Sequence, residues 1–178
     1  MPDLREQLAQ CLTGHVCLMG LGNVDYGDDG FGVRLAELLI ANEIPEGWRV
    51  VNAGTVPERV IARVAETGCE HLVFLDAVEF GGAPGSVVFL GSSEMAARFP
   101  QVSTHKISLG LLAKWAEANG TTKAWLLGVQ PESLAAGERL TPAMQTTLDA
   151  LFELLRDVAL SQRAEKPSAT KPMAEVNA

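Results

Sequence analysis

The turn that follows the first apolar run limits the possible folds most strongly. Residues 16–21 are a continuous apolar run, and five glycines then occur between positions 20 and 32, ahead of a helical pattern. Uninterrupted apolar strands of this length are typical of parallel sheets that are covered by helices on both faces. The turn contains Asp28 and Asp29 and has no basic residue before Arg34. Because a phosphate-binding turn offers amides and positive charge, this acidic turn favours a cation instead.

The rest of the chain continues the alternation of strand and helix. Further strands are predicted at 48–53, 71–76, 86–90 and 123–129, and helices at 30–42, after a capping box at 55–58, from 105 to about 119 and from 141 onward. This order predicts a three-layer α/β/α fold around a twisted five-stranded, mostly parallel sheet with one antiparallel strand. Since only a short glycine-rich loop separates the third and fourth strands, we expect those two to form an antiparallel hairpin.

The length of 178 residues fits a single folded unit. We expect residues 1–14 to form an N-terminal helical extension and residues 15–162 to form the α/β domain. Residues 163–178 consist largely of Lys, Pro, Ser, Ala and Thr without an apolar period, which predicts a disordered tail.

The composition argues against several classes of function. The net charge is −8, from 14 Lys and Arg against 22 Asp and Glu, so a basic surface for nucleic acid is not expected. Apolar runs are far shorter than the ~20 residues of a membrane span, and the N-terminus lacks an apolar signal core. The three cysteines, Cys11, Cys17 and Cys69, are odd in number and widely spaced, so they are a poor disulfide or metal set. These features predict a cytoplasmic protein that binds neither nucleic acid nor membrane.

Three groups that can bind a metal are predicted at the carboxyl edge of the sheet. Asp28 or Asp29 lies in the turn after the first strand, Asp76 ends the third strand, and His105 begins the helix predicted from 105 to about 119. Ligands of such sheets bind outside the carboxyl ends of the strands. Two carboxylates and one imidazole leave coordination positions open on a divalent ion, as a reactive site requires. The loops at 54–58 and 128–132 are expected at the same edge.

Each of these residues also has a purely structural interpretation. Asp28 or Asp29 would cap the following helix, and His105 would be an ordinary surface residue at a helix start. His15 and His71 begin strands at the opposite edge, where a structural role is expected. The sequence contains no Gly-x-Ser-x-Gly elbow and no His-Glu-x-x-His helix, so hydrolysis would use a metal or a water that it holds.

Four segments together resemble one known family. Residues 20–33, 76–78, 103–112 and 128–132 are similar, in order and separation, to the signatures of the NiFe-hydrogenase maturation endopeptidases. The resemblance extends over about residues 15–158. Family members often carry an acidic residue where this chain has Asn52.

The resemblance implies an activity, a partner and a set of site residues. It selects Asp29 over Asp28 and implies that Asp29, Asp76 and His105 are both the catalytic residues and the metal ligands. The implied reaction is removal of the C-terminal extension of a hydrogenase large-subunit precursor after nickel insertion, by a monomeric metal-dependent hydrolase. Nickel would be supplied by the precursor.

Two alternatives remain at this point. One is a nickel-sensing assembly chaperone that binds the precursor without cutting it. The other is a nucleotide-binding α/β protein that uses residues 20–22 as its phosphate turn, although the acidic residues of that turn argue against it.

Overall fold

A computed structural model describes residues 2–99 and 107–165. Its five-stranded sheet has the order β2-β1-β3-β5-β4, and the predicted mostly parallel α/β fold with one antiparallel strand is confirmed. The strands are β1 (Val16–Leu21), β2 (Trp48–Gly54), β3 (His71–Ala77), β4 (Val87–Gly91) and β5 (Lys123–Val129). The helices are α1 (Leu4–Cys11), α2 (Phe31–Ala41), α3 (Glu58–Ala65), α4 (Ser92–Arg98), α5 (Leu109–Glu117) and α6 (Pro142–Glu165).

Two apolar cores cover the two faces of the sheet. In β1, Val16 and Leu18 face one core, and Cys17 and Met19 face the other. Helices α1, α2 and α6 pack on the first face, and α3, α4 and α5 pack on the second. All six residues of β1 are buried because both faces are covered, which explains its continuous apolar sequence.

The predicted hairpin of the third and fourth strands is wrong. β4 pairs antiparallel with β5, while β3 lies between β1 and β5 and pairs parallel with both. β3 is almost completely buried and therefore needs a strand on each side, whereas β4 is only partly buried and occupies the sheet edge. Burial therefore decides the strand order, although the short connection is compatible with a hairpin.

Two predicted helix starts also differ from the structure. α3 begins at Glu58 after Pro57 and has no side-chain cap, so Thr55 does not form the predicted capping box. α5 begins at Leu109, where the Ser108 hydroxyl accepts from the Leu111 N–H, rather than at residue 105. Helix α4 was not predicted at all.

Both ends of the described chain pack on the same core. Leu8 and Leu12 of the N-terminal segment are fully buried against residues of α6 such as Leu155. α6 continues past the predicted boundary at 162 and ends at Glu165. Gln162 accepts from the Trp48 indole N–H and donates to the Leu12 carbonyl. The rest of the predicted tail lies outside the described residues. Within the described ranges, no helix combines the length and apolar character that crossing a membrane requires.

Candidate active site

The acidic turn after β1 is held tightly against the sheet. Asp28 and Asp29 belong to a single 3₁₀ turn, Gly27–Gly30, that leads directly into α2. Gly22 has a φ of +123°, and a Cβ there would lie 1.8 Å from the Asp29 carbonyl oxygen. At Gly32 a Cβ would lie 1.9 Å from the Leu75 carbonyl oxygen of β3. These glycines allow the turn and the start of α2 to approach the carboxyl ends of β1 and β3.

Asp28 is fully buried and its carboxylate accepts four hydrogen bonds. Oδ2 accepts from the backbone N–H groups of Glu132 (2.9 Å) and Ser133 (3.0 Å) and from the Thr141 hydroxyl (3.0 Å). Oδ1 accepts from the Thr141 N–H at 2.7 Å. The carboxylate therefore joins the turn to the segment between β5 and α6, and the described contacts leave little capacity for a ligand.

Asp29 has a different environment, although its side chain is also buried. It is 6% exposed, and its Oδ2 accepts from the Asn23 N–H at 2.9 Å. Its Oδ1 is buried and has no hydrogen-bond partner among the described residues. A buried carboxylate oxygen without a partner is costly, so it calls for a functional explanation. Asp29 is thus the member of the acidic pair that has a buried carboxylate oxygen without a partner in the described residues.

Asp76 lies at the same edge of the sheet. It is the next-to-last residue of β3, is 1% exposed and pairs in register with Gly128 of β5. The acidic turn contacts β3, so Asp29 and Asp76 lie on neighbouring elements. The third predicted residue, His105, lies outside the described residues.

No complete metal cluster is found in the part of the chain that the structure describes. Within residues 2–99 and 107–165, no three His, Cys, Asp or Glu side chains are placed to hold an ion together. Two cavities, of about 270 and 580 Å³, do not include Asp29 or Asp76. The first is lined by the starts of β1 and β2 and the loop before β3, and the second by β2, α3 and the residues that follow α3. Of the three predicted site residues, the described part of the chain includes the two buried carboxylates, Asp29 and Asp76.

Gln130 is a buried polar residue that the sequence interpretation missed. Its Oε1 accepts from three consecutive backbone N–H groups, Phe80 (2.9 Å), Gly81 (3.0 Å) and Gly82 (3.2 Å). These residues belong to the loop that follows Asp76 and β3. The segment 128–132 was predicted to lie at this edge, but nothing in a sequence indicates which distant amides a glutamine will accept.

Titratable groups at the opposite edge of the sheet also have altered proton affinities. The interaction between the Cys17 and Cys69 side chains lowers the pKa of Cys69 and raises that of Cys17. Burial lowers the pKa of His71, with a further contribution from Lys123, and His71 Nδ1 accepts from the Trp125 indole N–H at 3.1 Å. The predicted structural role of His71 agrees with this contact.

Comparison with known proteins gives the family. Residues 33–158 match the family model described as hydrogenase maturation protease. The chain belongs to the hydrogenase maturation protease family. Members of this family are endopeptidases, a class of hydrolase. The matched range contains Asp76 and His105 and begins after the acidic turn.

Individual relatives agree with this family. The hydrogenase expression/formation protein HoxM of Azotobacter vinelandii is 31% identical over 156 residues, covering 78% of this chain and 73% of its own. The hydrogenase 3 maturation protease of Escherichia coli is 28% identical over 139 residues, covering 78% and 86%. The crystal structure of a NiFe hydrogenase maturation protease from Thermococcus kodakarensis is similar with a TM-score of 0.78 at 26% identity, covering 86% of this chain and 99% of that chain.

Proposed function

We propose that this family member removes the C-terminal extension of a NiFe-hydrogenase large-subunit precursor after nickel has been inserted. In this proposal Asp29, Asp76 and His105 contact the nickel that the precursor carries, so that nickel-free precursor is not cut. The metal belongs to the substrate, and the partner is the loaded precursor, which the protease meets as a monomer in the cytoplasm.

The unpartnered Oδ1 of Asp29 is the observation that supports this proposal most directly. Asp28 stands next to it and uses its carboxylate in four contacts, whereas Asp29 keeps one buried oxygen without a partner in the described residues. A divalent cation would compensate the cost of burying that oxygen. Asp76, buried at the end of β3, adds a second carboxylate at the same edge.

The donor set suits recognition of a metal that already has other ligands. Two carboxylates and one imidazole do not fill the coordination sphere of nickel, so the remaining positions are available to ligands from the precursor. Docking therefore depends on the metal being present. When bound, nickel supplies Lewis-acid chemistry, which polarises the scissile carbonyl or activates water.

A cleavage assay tests the proposal. Purified protein is incubated with nickel-loaded and nickel-free precursor, and the large subunit is weighed by mass spectrometry. We expect the loaded precursor to lose its C-terminal extension and the nickel-free precursor to stay intact. Equal trimming of both would contradict nickel recognition, and binding of the loaded precursor without trimming would favour the chaperone alternative.

Substitutions test the assignment of residues. Asp29→Asn, Asp76→Asn and His105→Ala should each abolish trimming, while the circular dichroism spectrum stays that of the wild type. Asp25→Asn is a matched control in the same turn, because Asp25 is exposed and its described contacts are made by its backbone. Full activity of any of the first three variants would remove that residue from the proposed site.

A further inference from the structure

One segment of the chain contacts the loops that carry both buried carboxylates. Residues 130–141, here called the connector, join β5 to α6. The first residue of the connector binds the loop after Asp76, and later residues bind the turn that contains Asp29. The two acidic loops are far apart in sequence, so the connector is a physical link between them.

At the β3 side, the link is the side chain of Gln130. Its Oε1 accepts the three N–H groups of residues 80–82, and its Nε2 donates to the Pro131 carbonyl. Gln130 itself is held by the backbone, because its N–H donates to Ser86 O and its carbonyl accepts from the Gly85 N–H. The loop after Asp76 is therefore anchored to the end of β5.

At the β1 side, the link is the side chain of Asp28 together with backbone contacts. The Asp28 carboxylate accepts from residues 132, 133 and 141, near the two ends of the connector. In between, Gly137 donates to the Asp25 carbonyl and accepts from the Gly27 N–H at 2.7 Å. The Arg34 guanidinium adds a hydrogen bond to the Glu138 carbonyl.

We propose that Asp28 and Gln130 are positioning residues that fix the separation of the Asp29 and Asp76 carboxylates through the connector. The proposal rests on the proposed function, since it assigns to that separation a role in holding the precursor's nickel. Neither residue needs to touch nickel. A two-carboxylate site tolerates little misplacement of its ligands, so loosening either anchor slows trimming even when the fold is intact.

A pair of substitutions at Gln130 tests the β3 anchor. Gln130→Leu removes the acceptor and leaves three amides without a partner, whereas Gln130→Glu keeps an acceptor oxygen in the same place. We expect Gln130→Leu to trim nickel-loaded precursor about tenfold more slowly or worse and Gln130→Glu to stay near the wild-type rate. Gln145→Leu is the matched control, because Gln145 is exposed on α6 and bonds to Asp149.

A milder pair tests the β1 anchor and covers the case in which Gln130→Leu does not fold. Thr141→Val removes the hydroxyl that donates to Asp28 and keeps the backbone N–H contact. We expect trimming to be several-fold slower. The control is Thr146→Val, which removes a hydroxyl that donates to the Pro142 carbonyl within α6.

The double variant Thr141→Val/Gln130→Leu separates positioning from general stabilisation. If both anchors fix the separation of the Asp29 and Asp76 carboxylates, their effects on the trimming rate will be strongly non-additive. Their effects on the free energy of unfolding, measured with urea, will add. Additive losses of rate that follow the fraction of folded protein would overturn the proposal.

Hydrogen exchange gives a readout that does not depend on cleavage. In Gln130→Leu, the amides of residues 80–82 should exchange faster, and unchanged exchange would contradict the anchor. Wild-type protein that leaves nickel-loaded precursor intact would overturn the proposed function and this proposal with it. An active wild type alongside Gln130→Leu and Thr141→Val variants of equal activity would overturn the positioning role alone.

Discussion

Asp28 and Asp29 are consecutive residues of one buried turn, and their carboxylates are used in opposite ways. The Asp28 carboxylate accepts four hydrogen bonds from three residues of the connector. Asp29 accepts one from Asn23 and keeps a buried oxygen without a partner in the described residues. The first is therefore built into the fold, and the second is held at a cost that the fold alone does not explain.

The two aspartates should consequently contribute differently to the stability of the fold. Asp28→Asn replaces one acceptor oxygen by an amide group that faces N–H donors, so the free energy of unfolding should fall by about 2–3 kcal/mol. Asp29→Asn should leave it unchanged or slightly raised, because a buried charge is removed. Urea unfolding measures both values. A larger loss of stability in Asp29→Asn than in Asp28→Asn would contradict this division.

Gly32 should tolerate no side chain. A Cβ there would lie 1.9 Å from the Leu75 carbonyl oxygen and 2.5 Å from that of Leu21, and neither backbone group can move without distorting the sheet. We expect Gly32→Ala to lower the free energy of unfolding by about 3 kcal/mol or more, measured by chemical denaturation. Gly91→Ala is the control, since φ is −78° and its nearest contact is a ring atom at 3.8 Å. Equal stabilities of the two variants would refute the close approach.

His71 should make the protein less stable in mild acid. Burial lowers its pKa in the folded state, so the unfolded chain binds the proton more readily. The stability that neutral His71 contributes is present above its unfolded pKa of about 6.5 and is lost as the pH falls through the lower folded pKa.

The substitution His71→Gln removes this titration while keeping an acceptor for the Trp125 indole N–H. We expect the unfolding free energy of this variant to decline less steeply below about pH 6.5 than that of the wild type. Urea denaturation at several pH values measures this decline. His15→Gln is the matched control on an exposed histidine next to β1. If His71→Gln and the wild type show parallel pH profiles, His71 is not the responsible group.

Cys17 should control the acidity of Cys69. The interaction with the Cys17 side chain favours the Cys69 thiolate and is the main cause of the lowered Cys69 pKa. Cys17→Ala removes that interaction, so the pKa of Cys69 should rise. The thiolate absorbance near 240 nm, titrated in a Cys11→Ser background, measures the shift. An unchanged titration midpoint would show that Cys17 does not act on Cys69.

The sequence predicts those features of the fold that depend on local patterns. Continuous apolar runs identify β1 and β3, and the position of Asp76 at the end of such a run places it at the carboxyl edge. The pairing of β4 is not local, because it depends on β3 needing a neighbour on each side. The short β3–β4 connection therefore led to the wrong pairing.

The prediction of the candidate site has the same limit. An acidic pair in a glycine turn is visible in the sequence, but the role of Asp28 depends on partners 104 to 113 positions away. Gln130 likewise binds amides 48 to 50 positions away. The family resemblance selects Asp29, but only the folded chain gives the physical reason, because it places the partners of Asp28 and leaves Asp29 Oδ1 without one in the described residues.

The connector also limits how this arrangement can be transferred to another protein. A designer who copies only the β1 turn and the end of β3 onto a different α/β scaffold would leave out the Asp28 and Gln130 anchors, which bind residues 130–141 and 80–82. The grafted carboxylates would then take whatever spacing the new scaffold imposes. The smallest unit that would carry the spacing of the two carboxylates is three loops from the ends of three parallel strands, with the glycines that let them meet.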